Sequence, residues 1–241
     1  KKVTPTGLVT TLAGSTQGDG DKFTFPVGLA LDQAGNVYVA DWGNHKVKKI
    51  TPSGLVTTLA GSSEGDGDKF KYPTGLAVDK DGNVYVSDGG NHKIKMITQN
   101  GVVTTLAGST RGDGDKFNFP RGIAIDQEGI LLVADERNHK LKKVSPSGKV
   151  TTFAGSTQGD GDKFSFPSGI AVDKDGCVYV ADQMNHKIKK ITSFGEVSTV
   201  TGQMENEQDR LCFPWGVAID SNGNIYVANT VKNEIMKIVS E

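Results

Sequence analysis

A repeat of 47 residues runs through the chain and constrains its fold more than any other feature. An aromatic residue followed by proline recurs five times, with the prolines at 26, 73, 120, 167 and 214. Because each copy carries turn residues at the same offsets, the copies should share one structure and pack against one another. The sequence therefore predicts a single domain, residues 1–241, made of five copies.

Turn residues divide each copy into four runs that are rich in β-branched and aliphatic residues. In the first copy the runs are 28–32, 36–41, 45–51 and 55–60, which we call strands a, b, c and d. Four antiparallel strands per repeat of this length are typical of a propeller blade, whose apolar faces are covered by neighbouring blades. The sequence predicts an all-β, five-bladed β-propeller of four-stranded antiparallel blades, with strand a nearest the axis.

The two chain ends predict how the ring closes. Residues 1–6 match 48–53, residues 236–241 fall at the same phase, and the segment from Leu8 to Ala13 has the sequence of a strand d. We expect this N-terminal strand to pair with the C-terminal blade, because that pairing removes an exposed sheet edge. A ring closed in this way predicts a monomer.

The string GNVYVADWGNHKVKKITPSG and its copies resemble the NHL repeat, with Asn-His at 44–45, 91–92, 138–139 and 185–186. The third residue is Lys here, where the family usually has Leu or Arg, and the fifth copy has Lys232-Asn233-Glu234 instead. The resemblance implies a toroid like those of ubiquitin-ligase partners, kinase sensor domains and RNA-binding regulators, similar in shape to lactonases and amidating lyases. Members mostly close with six blades, so five copies are a departure. Because those functions differ, the fold does not select one of them.

Residues that are the same in most copies are interpreted as structural. The Asp at the a–b turn (Asp32 and its equivalents) and the Asp before the b–c turn (Asp41 and its equivalents) are expected to accept hydrogen bonds from turn amides. The lysines of strand c alternate with apolar residues and are predicted to be solvated. The histidines fall one to a blade, too far apart to share an ion. We therefore predict no metal site, no cofactor, no catalytic residue and no enzymatic activity.

Four loops between strands d and a repeat the sequence GDGDKF, at 18–23, 65–70, 112–117 and 159–164. Their carboxylates suggest calcium, but the longer Asp-x-Asp-x-Asp-Gly pattern with its distant Glu is missing. A turn built by glycine and Asp is therefore the preferred interpretation. Cys177 and Cys212 are predicted to lie a strand length apart and to be unpaired, which favours a reducing compartment such as the cytoplasm.

Positions that differ between copies predict a ligand site. They cluster in the residue after the repeated proline, in the b–c turn and in the d–a loop, which is rewritten at 202–212 in the fifth copy. The d–a loop and the b–c turn project from one face of a propeller, the top face, and Trp and Arg are common at binding hot spots. The candidate ligand-binding residues are Val27, Trp42, Thr74, Arg121, Arg137, Ser168, Met184 and Trp215.

Charge restricts the partners. Lys and Arg total 27 against 28 for Asp and Glu, a net charge of -1, which supplies no field to attract nucleic acid or an anionic membrane. We expect a non-catalytic binding scaffold whose top face holds a protein or peptide, with a small molecule as the alternative ligand. Two other hypotheses stay open. One is a propeller engineered or recently amplified from a single blade, with no selected ligand, and the other is a metal-dependent propeller hydrolase or lyase.

Overall fold

The fold is that of a computed structural model, which describes residues 1–4, 6–14, 22–61, 69–108, 116–155, 163–201 and 210–239. Strands and short 3-10 helices are its only regular elements, and the described ranges contain no α-helix. The strands form five successive antiparallel blades and, before them, a two-stranded sheet of β1 (Lys2–Val3) and β2 (Val9–Thr10).

Each blade uses its strands in chain order from the axis outwards. Blade 1 consists of β3 (Pro26–Leu31), β4 (Val37–Asp41), β5 (Lys46–Ile50) and β6 (Val56–Ala60). Blade 2 consists of β7 (Pro73–Val78), β8 (Val84–Asp88), β9 (Lys93–Ile97) and β10 (Val103–Ala107). Blade 3 consists of β11 (Pro120–Ile125), β12 (Leu131–Asp135), β13 (Lys140–Val144) and β14 (Val150–Ala154). Blade 4 consists of β15 (Pro167–Val172), β16 (Val178–Asp182), β17 (Lys187–Ile191) and β18 (Val197–Thr201). Blade 5 consists of β19 (Pro214–Ile219), β20 (Ile225–Asn229) and β21 (Glu234–Ile238). The b–c turns of the first four blades are 3-10 helices at Trp42–Asn44, Gly89–Asn91, Glu136–Asn138 and Gln183–Asn185. The predicted five-bladed architecture is confirmed.

The a–b turns are organised by the repeated Asp, as expected. In blade 1 the Asp32 carboxylate accepts hydrogen bonds from the backbone N–H of Asn36 at 2.8 Å, from its side-chain amide at 2.7 Å and from the Tyr38 hydroxyl at 3.1 Å. Blade 5 repeats the arrangement with Asp220 and Asn224. These carboxylates are therefore engaged in turn geometry, which confirms their structural interpretation.

Strand a lies innermost, and successive a strands pack against one another in the order β3, β7, β11, β15 and β19. The close approach requires glycine, because a Cβ at Gly169 would lie 2.6 Å from the Trp215 carbonyl oxygen. Between the sheets, Ala40 and Val47 of blade 1 pack with Leu76 and Val86 of blade 2, and the same kind of cluster recurs at the later interfaces. Blades 2, 3 and 4 thus each bury one face on the blade before and the other on the blade after.

The expected pairing of the N-terminal strand with the C-terminal blade is not found. Strand β2 pairs with β1 instead, and β21 has no fourth strand beside it among the described residues. A Cβ at Gly216 meets no following blade, since its nearest neighbour is Ala228 Cβ at 3.7 Å within its own blade. The inner strand of blade 5 thus does not pack against that of blade 1 as the other successive a strands pack, and we call the place between these two blades the gap.

The sheet of β1 and β2 occupies the place of strands c and d of a blade that precedes blade 1. Its register, Lys2 opposite Thr10 and Val3 opposite Val9, is the register of Lys49 with Thr57 and Ile50 with Val56 in blade 1. It also sits on blade 1 as one blade sits on the next. A Cβ at Gly54 would lie 3.9 Å from the Leu12 carbonyl oxygen, and a Cβ at Gly101 would lie 4.0 Å from that of Leu59.

One lysine of strand c is buried in each of blades 1 to 4, which corrects the prediction that these lysines are solvated. Lys48 lies 3.3 Å from the Asp41 carboxylate and over the Phe23 ring, and Lys142 lies 3.0 Å from Asp135. The alternating pattern was misleading because both faces of the sheet are covered by other blades. In blade 5, Asn229 and Met236 stand at the positions of this Asp and this Lys, so neither charge is buried without its partner.

The histidines link each blade to the next. His45 adopts a left-handed backbone with φ of 58°, and its Nδ1 accepts the Tyr72 backbone N–H of blade 2 at 3.1 Å. His92, His139 and His186 make the same bond to the following blade. Asn233, which also tolerates a left-handed backbone, takes this place in blade 5. The repeated His is therefore structural, as the sequence indicated.

Candidate functional site

A cavity of about 760 Å³ runs along the inner a strands, and its lining includes two exposed side chains, Leu29 of blade 1 and Ile235 of blade 5. Glycine and aliphatic side chains of strand a form its walls, and aromatic side chains stand around it. Its aromatic and charged lining residues are Phe25, Trp42, Phe119, Arg121, Trp215 and Tyr226. A cavity of this size and apolar character is what a ligand-binding site requires.

The structure brings most of the predicted site residues to this cavity. Val27, Trp42, Thr74, Arg121, Ser168 and Trp215 line it, whereas Arg137 and Met184 do not. The b–c turn and the end of the d–a loop do lie on one face, because the Gly43 backbone N–H donates to the Thr24 carbonyl at 2.8 Å. The predicted top face is thus the face at which the cavity's aromatic rim is built.

Thr74 and Ser168 are buried rather than solvent-facing, although both line the cavity. The Thr74 hydroxyl donates to the Pro120 carbonyl at 2.9 Å, and the Ser168 hydroxyl donates to the Trp215 carbonyl at 2.9 Å. Both side chains are buried between blades, where a hydroxyl needs such a partner. Their role is to join one blade to the next.

Arg121 is the centre of an aromatic and charged cluster. Its guanidinium lies over the Trp215 ring, 3.9 Å from Cζ to the ring centroid, and forms an ion pair with Glu136. Burial lowers the pKa of Arg121 and raises the pKa of Glu136, and in each case the partner's charge opposes the shift. The guanidinium is thus held over the Trp215 ring and paired with a buried carboxylate, and together they present an aromatic and cationic surface to the cavity.

Trp42 belongs to a second aromatic group on the opposite side of the rim. Its ring lies 4.5 Å from that of Tyr72 and 6.2 Å from that of Phe25, measured between centroids. Phe25, Tyr72 and Phe119 all have left-handed backbones, with φ between 51° and 56°, which is rare for an aromatic residue before proline. The Tyr72 backbone N–H donates to His45 Nδ1 and the Phe119 backbone N–H donates to His92 Nδ1, and these two bonds help to hold this conformation.

Arg137 and Met184 lie outside the cavity but on the same face. The Arg137 guanidinium lies 4.7 Å from the Phe119 ring centroid, so it extends the cluster around Arg121. Met184 is exposed and its backbone N–H donates to the Ser165 carbonyl. Neither makes a contact that requires a ligand.

Sequence reasoning missed several residues of the cavity. Phe25 and Phe119 were interpreted only as aromatic residues of the repeat. Glu136 lies outside the cavity and was not singled out either, although it forms an ion pair with Arg121. Leu29 and Ile235 were not singled out, yet both line the cavity. The opposite charges at two variable positions of blade 3 were a usable signal for the ion pair, but nothing in the repeat marked the gap.

The described residues contain no group of three His, Cys, Asp or Glu side chains that could hold a metal ion together. None of the described residues lining the cavity is of these four types. The acidic parts of the four GDGDKF loops, and residues 202–209, lie outside the described residues. Cys177 and Cys212 are both free thiols, as predicted. Within the described ranges, no helix is long and apolar enough to cross a membrane.

Comparison with known families gives one match, to the NHL repeat, at residues 23–50, 70–95, 117–144, 164–191 and 211–235. Each of the five segments covers strands a and b and part or all of strand c of one blade. Comparison with curated proteins finds no match.

Solved structures share the fold at low identity. The chain is similar to a virginiamycin B lyase from Staphylococcus aureus (18% identity, TM-score 0.65, covering 89% of this chain and 69% of that one). It is similar to a chain of a nidogen/laminin complex (18% identity, TM-score 0.72, 89% and 75%). It is also similar to a gluconolactonase from Xanthomonas campestris (17% identity, TM-score 0.69, 90% and 71%). At these identities the likeness shows the fold alone.

Proposed function

The chain belongs to the NHL-repeat family, and from that premise we propose that it is a non-catalytic binding module whose cavity and top rim hold a segment of a protein or peptide partner. The observation that carries the proposal is the composition of the cavity. The two tryptophans of the chain both line it, together with an arginine that stacks on one of them. Trp and Arg set in an apolar depression are the residues that dominate protein interfaces.

The shape of the cavity favours a polymer over a compact small molecule. Its lining runs from the Trp42 and Trp215 side chains to Leu29 of blade 1 and Ile235 of blade 5, a length that suits an extended chain. A non-catalytic role is supported by the lining, because the described lining residues include no His, Cys, Asp, Glu or Lys side chain. A structural neighbour from a nidogen/laminin complex is an instance of this fold in a protein complex, whereas other neighbours are a lyase and a lactonase.

The proposal is tested by selecting peptides from a displayed random library on the wild-type chain, with the Trp215→Ala chain as the counter-target. We expect selected peptides to bind the wild-type chain saturably and to change its tryptophan emission, since both tryptophans line the cavity. Calorimetry should show weaker binding to Trp42→Ala and Trp215→Ala by about tenfold or more.

The matched control is Phe194→Ala, which removes an aromatic ring that is 95% exposed in the c–d turn of blade 4. It should leave both binding and melting temperature unchanged. Arg121→Ala is a poor test, because it strands the Glu136 carboxylate in a buried site, so Arg121→Met with Glu136→Gln is the better variant. If selected peptides bind the tryptophan variants as tightly as the wild type, the proposed site is wrong.

A further inference from the structure

Two apolar walls face each other across the gap, and neither has a partner among the described residues. On blade 1, Leu29 is 63% exposed, whereas Leu76 at the same position of blade 2 is 5% exposed. On blade 5, Ile235 is 72% exposed, whereas Val47 at the same position of blade 1 is fully buried. Leu29 faces the preceding blade position and Ile235 faces the following one. At each of the four interfaces between successive blades, these two positions pack against each other. The two walls are thus the two halves of such an interface, separated from each other.

The outer part of the gap is already filled. The sheet of β1 and β2 lies on blade 1 in the place of strands c and d, as its register and the contact between Leu12 and Gly54 indicate. Ile50 of blade 1 is buried, while Leu29 and Leu31 on its inner strand are exposed. What is open is therefore the place of strands a and b only, beside the free edge of β1.

We propose that this place accepts a β-hairpin built like strands a and b of the chain's own blades, supplied by another polypeptide. The proposal rests on the proposed function, since it names the class of partner that enters the same cavity. Four interfaces within the chain, from blade 1 to blade 5, show what surface each wall accepts, and the docked hairpin continues that series. A hairpin is small enough to fill the place without displacing β1 and β2.

The blades fix the register of the docked hairpin. In blade 1, Val37 of strand b pairs with Ile50 and Tyr38 pairs with Lys49. The hairpin's matching residues should therefore pair with Val3 and Lys2 of β1. Its strand a should place an aliphatic residue on the wall of blade 5, because Leu76 packs in this way against blade 1. Its glycine should approach the backbone of blade 1 near Val27, as Gly28 approaches Thr74. This is addition of strands to an open edge.

The test uses a synthetic peptide of residues 72–88, which carries strands a and b of blade 2. We expect saturable binding with one peptide per chain, read by calorimetry and by tryptophan emission, because the peptide itself contains no Trp. The control peptide carries Gly75→Val. A side chain there meets the Arg121 carbonyl in the folded chain, so it should clash with blade 1 in the docked state and bind about tenfold more weakly or worse.

The matched protein variants are Leu29→Asp and Ile235→Asp, which change only exposed side chains and should keep the wild-type melting temperature. Both should lose about tenfold or more in affinity for the 72–88 peptide. Phe194→Asp, on an exposed turn away from the gap, should bind the peptide as the wild type does.

Three results would overturn the proposal. The peptide fails to bind, it binds the two wall variants as well as the wild type, or light scattering shows a stable dimer in which Leu29 is protected. If selected linear peptides still bind through Trp42 and Trp215 in those cases, the proposed function stands and only the hairpin is wrong. If no peptide of either kind binds, both fail.

Discussion

At the scale of single residues, blade 5 shows how the repeat handles a buried charge. In blade 3 the Asp135 carboxylate has no exposed surface, pairs with Lys142 at 3.0 Å and accepts the Asn118 backbone N–H at 2.6 Å. Blade 5 keeps the second bond, from the Cys212 backbone N–H to the Asn229 side-chain oxygen at 2.6 Å, and has Met236 where blade 3 has lysine. Both charges are absent together, so no uncompensated ion is buried.

This substitution in blade 5 predicts a double-mutant cycle in blade 3. Lys142→Met alone leaves Asp135 buried without its cation and should cost about 3 kcal/mol in the free energy of unfolding. Adding Asp135→Asn recreates the pair seen in blade 5 and should restore more than half of that loss. Urea unfolding measures all four chains. If the double variant loses the sum of the two single-variant losses in unfolding free energy, Asp135 and Lys142 contribute to stability independently of each other, which would contradict this interpretation.

Tyr38 of blade 1 is expected to contribute to a loss of stability at alkaline pH. Burial, and then the hydrogen bond to the Asp32 carboxylate, raise the pKa of Tyr38 from 10.0 to about 12. Because the folded pKa lies above the unfolded one, this contribution is fully present below pH 10 and is lost as the pH rises through about 12. The difference in unfolding free energy between wild type and Tyr38→Phe should therefore shift in favour of the variant across that window. A pH-independent difference would contradict the assignment.

Residue-scale roles were harder to predict from the sequence than the strands were. Asp32 and the histidines were interpreted correctly as structural, because the turn chemistry of Asp and the spacing of His are local properties. The burial of Thr74 and Ser168 was not predicted, because the direction of the residue after the repeated proline depends on how closely two blades approach. Lys48 was misassigned because its neighbours alternate as on a half-exposed strand, whereas a blade is covered on both faces.

At the scale of elements, strand a is the part of the blade with least freedom. Its glycine allows the next a strand to approach at backbone distance, and this contact sets the angle between successive blades. The bounds of the strands were predicted to within two residues from β-branched runs and turn residues, since both signals are local. For blade 1, the prediction of 28–32 compares with Pro26–Leu31 in the structure.

Two glycines at the same position of different blades provide a matched test. Gly169→Val places a side chain 2.6 Å from the Trp215 carbonyl and should cost about 3 kcal/mol in unfolding free energy, because the backbone of blade 5 cannot move without parting the blades. Gly216→Val has no following blade to meet and should change it by less than about 0.5 kcal/mol. Chemical denaturation of both chains measures the difference. Equal losses would mean that a blade does cover Gly216.

At the scale of the whole molecule, the open ring joins the fold to the proposed function. Counting repeats correctly predicted five blades, but the count carries no information on the angle between blades, and the expected pairing of the chain ends is not found among the described strands. The gap also leaves exposed side chains of both blades in the lining of the central cavity. Leu29 and Ile235, ordinary core residues in the repeat, become binding-site walls only because of it.

Thiol labelling tests whether the ring is open between blades 1 and 5. In a chain carrying Cys177→Ser and Cys212→Ser, a cysteine at position 29 lies on the open wall, and one at position 76 lies at the same place in a closed interface. We expect rapid labelling of Leu29→Cys, slow labelling of Leu76→Cys, and protection of Leu29→Cys by the 72–88 peptide. Slow labelling at both positions in the free monomer would mean that the ring is closed.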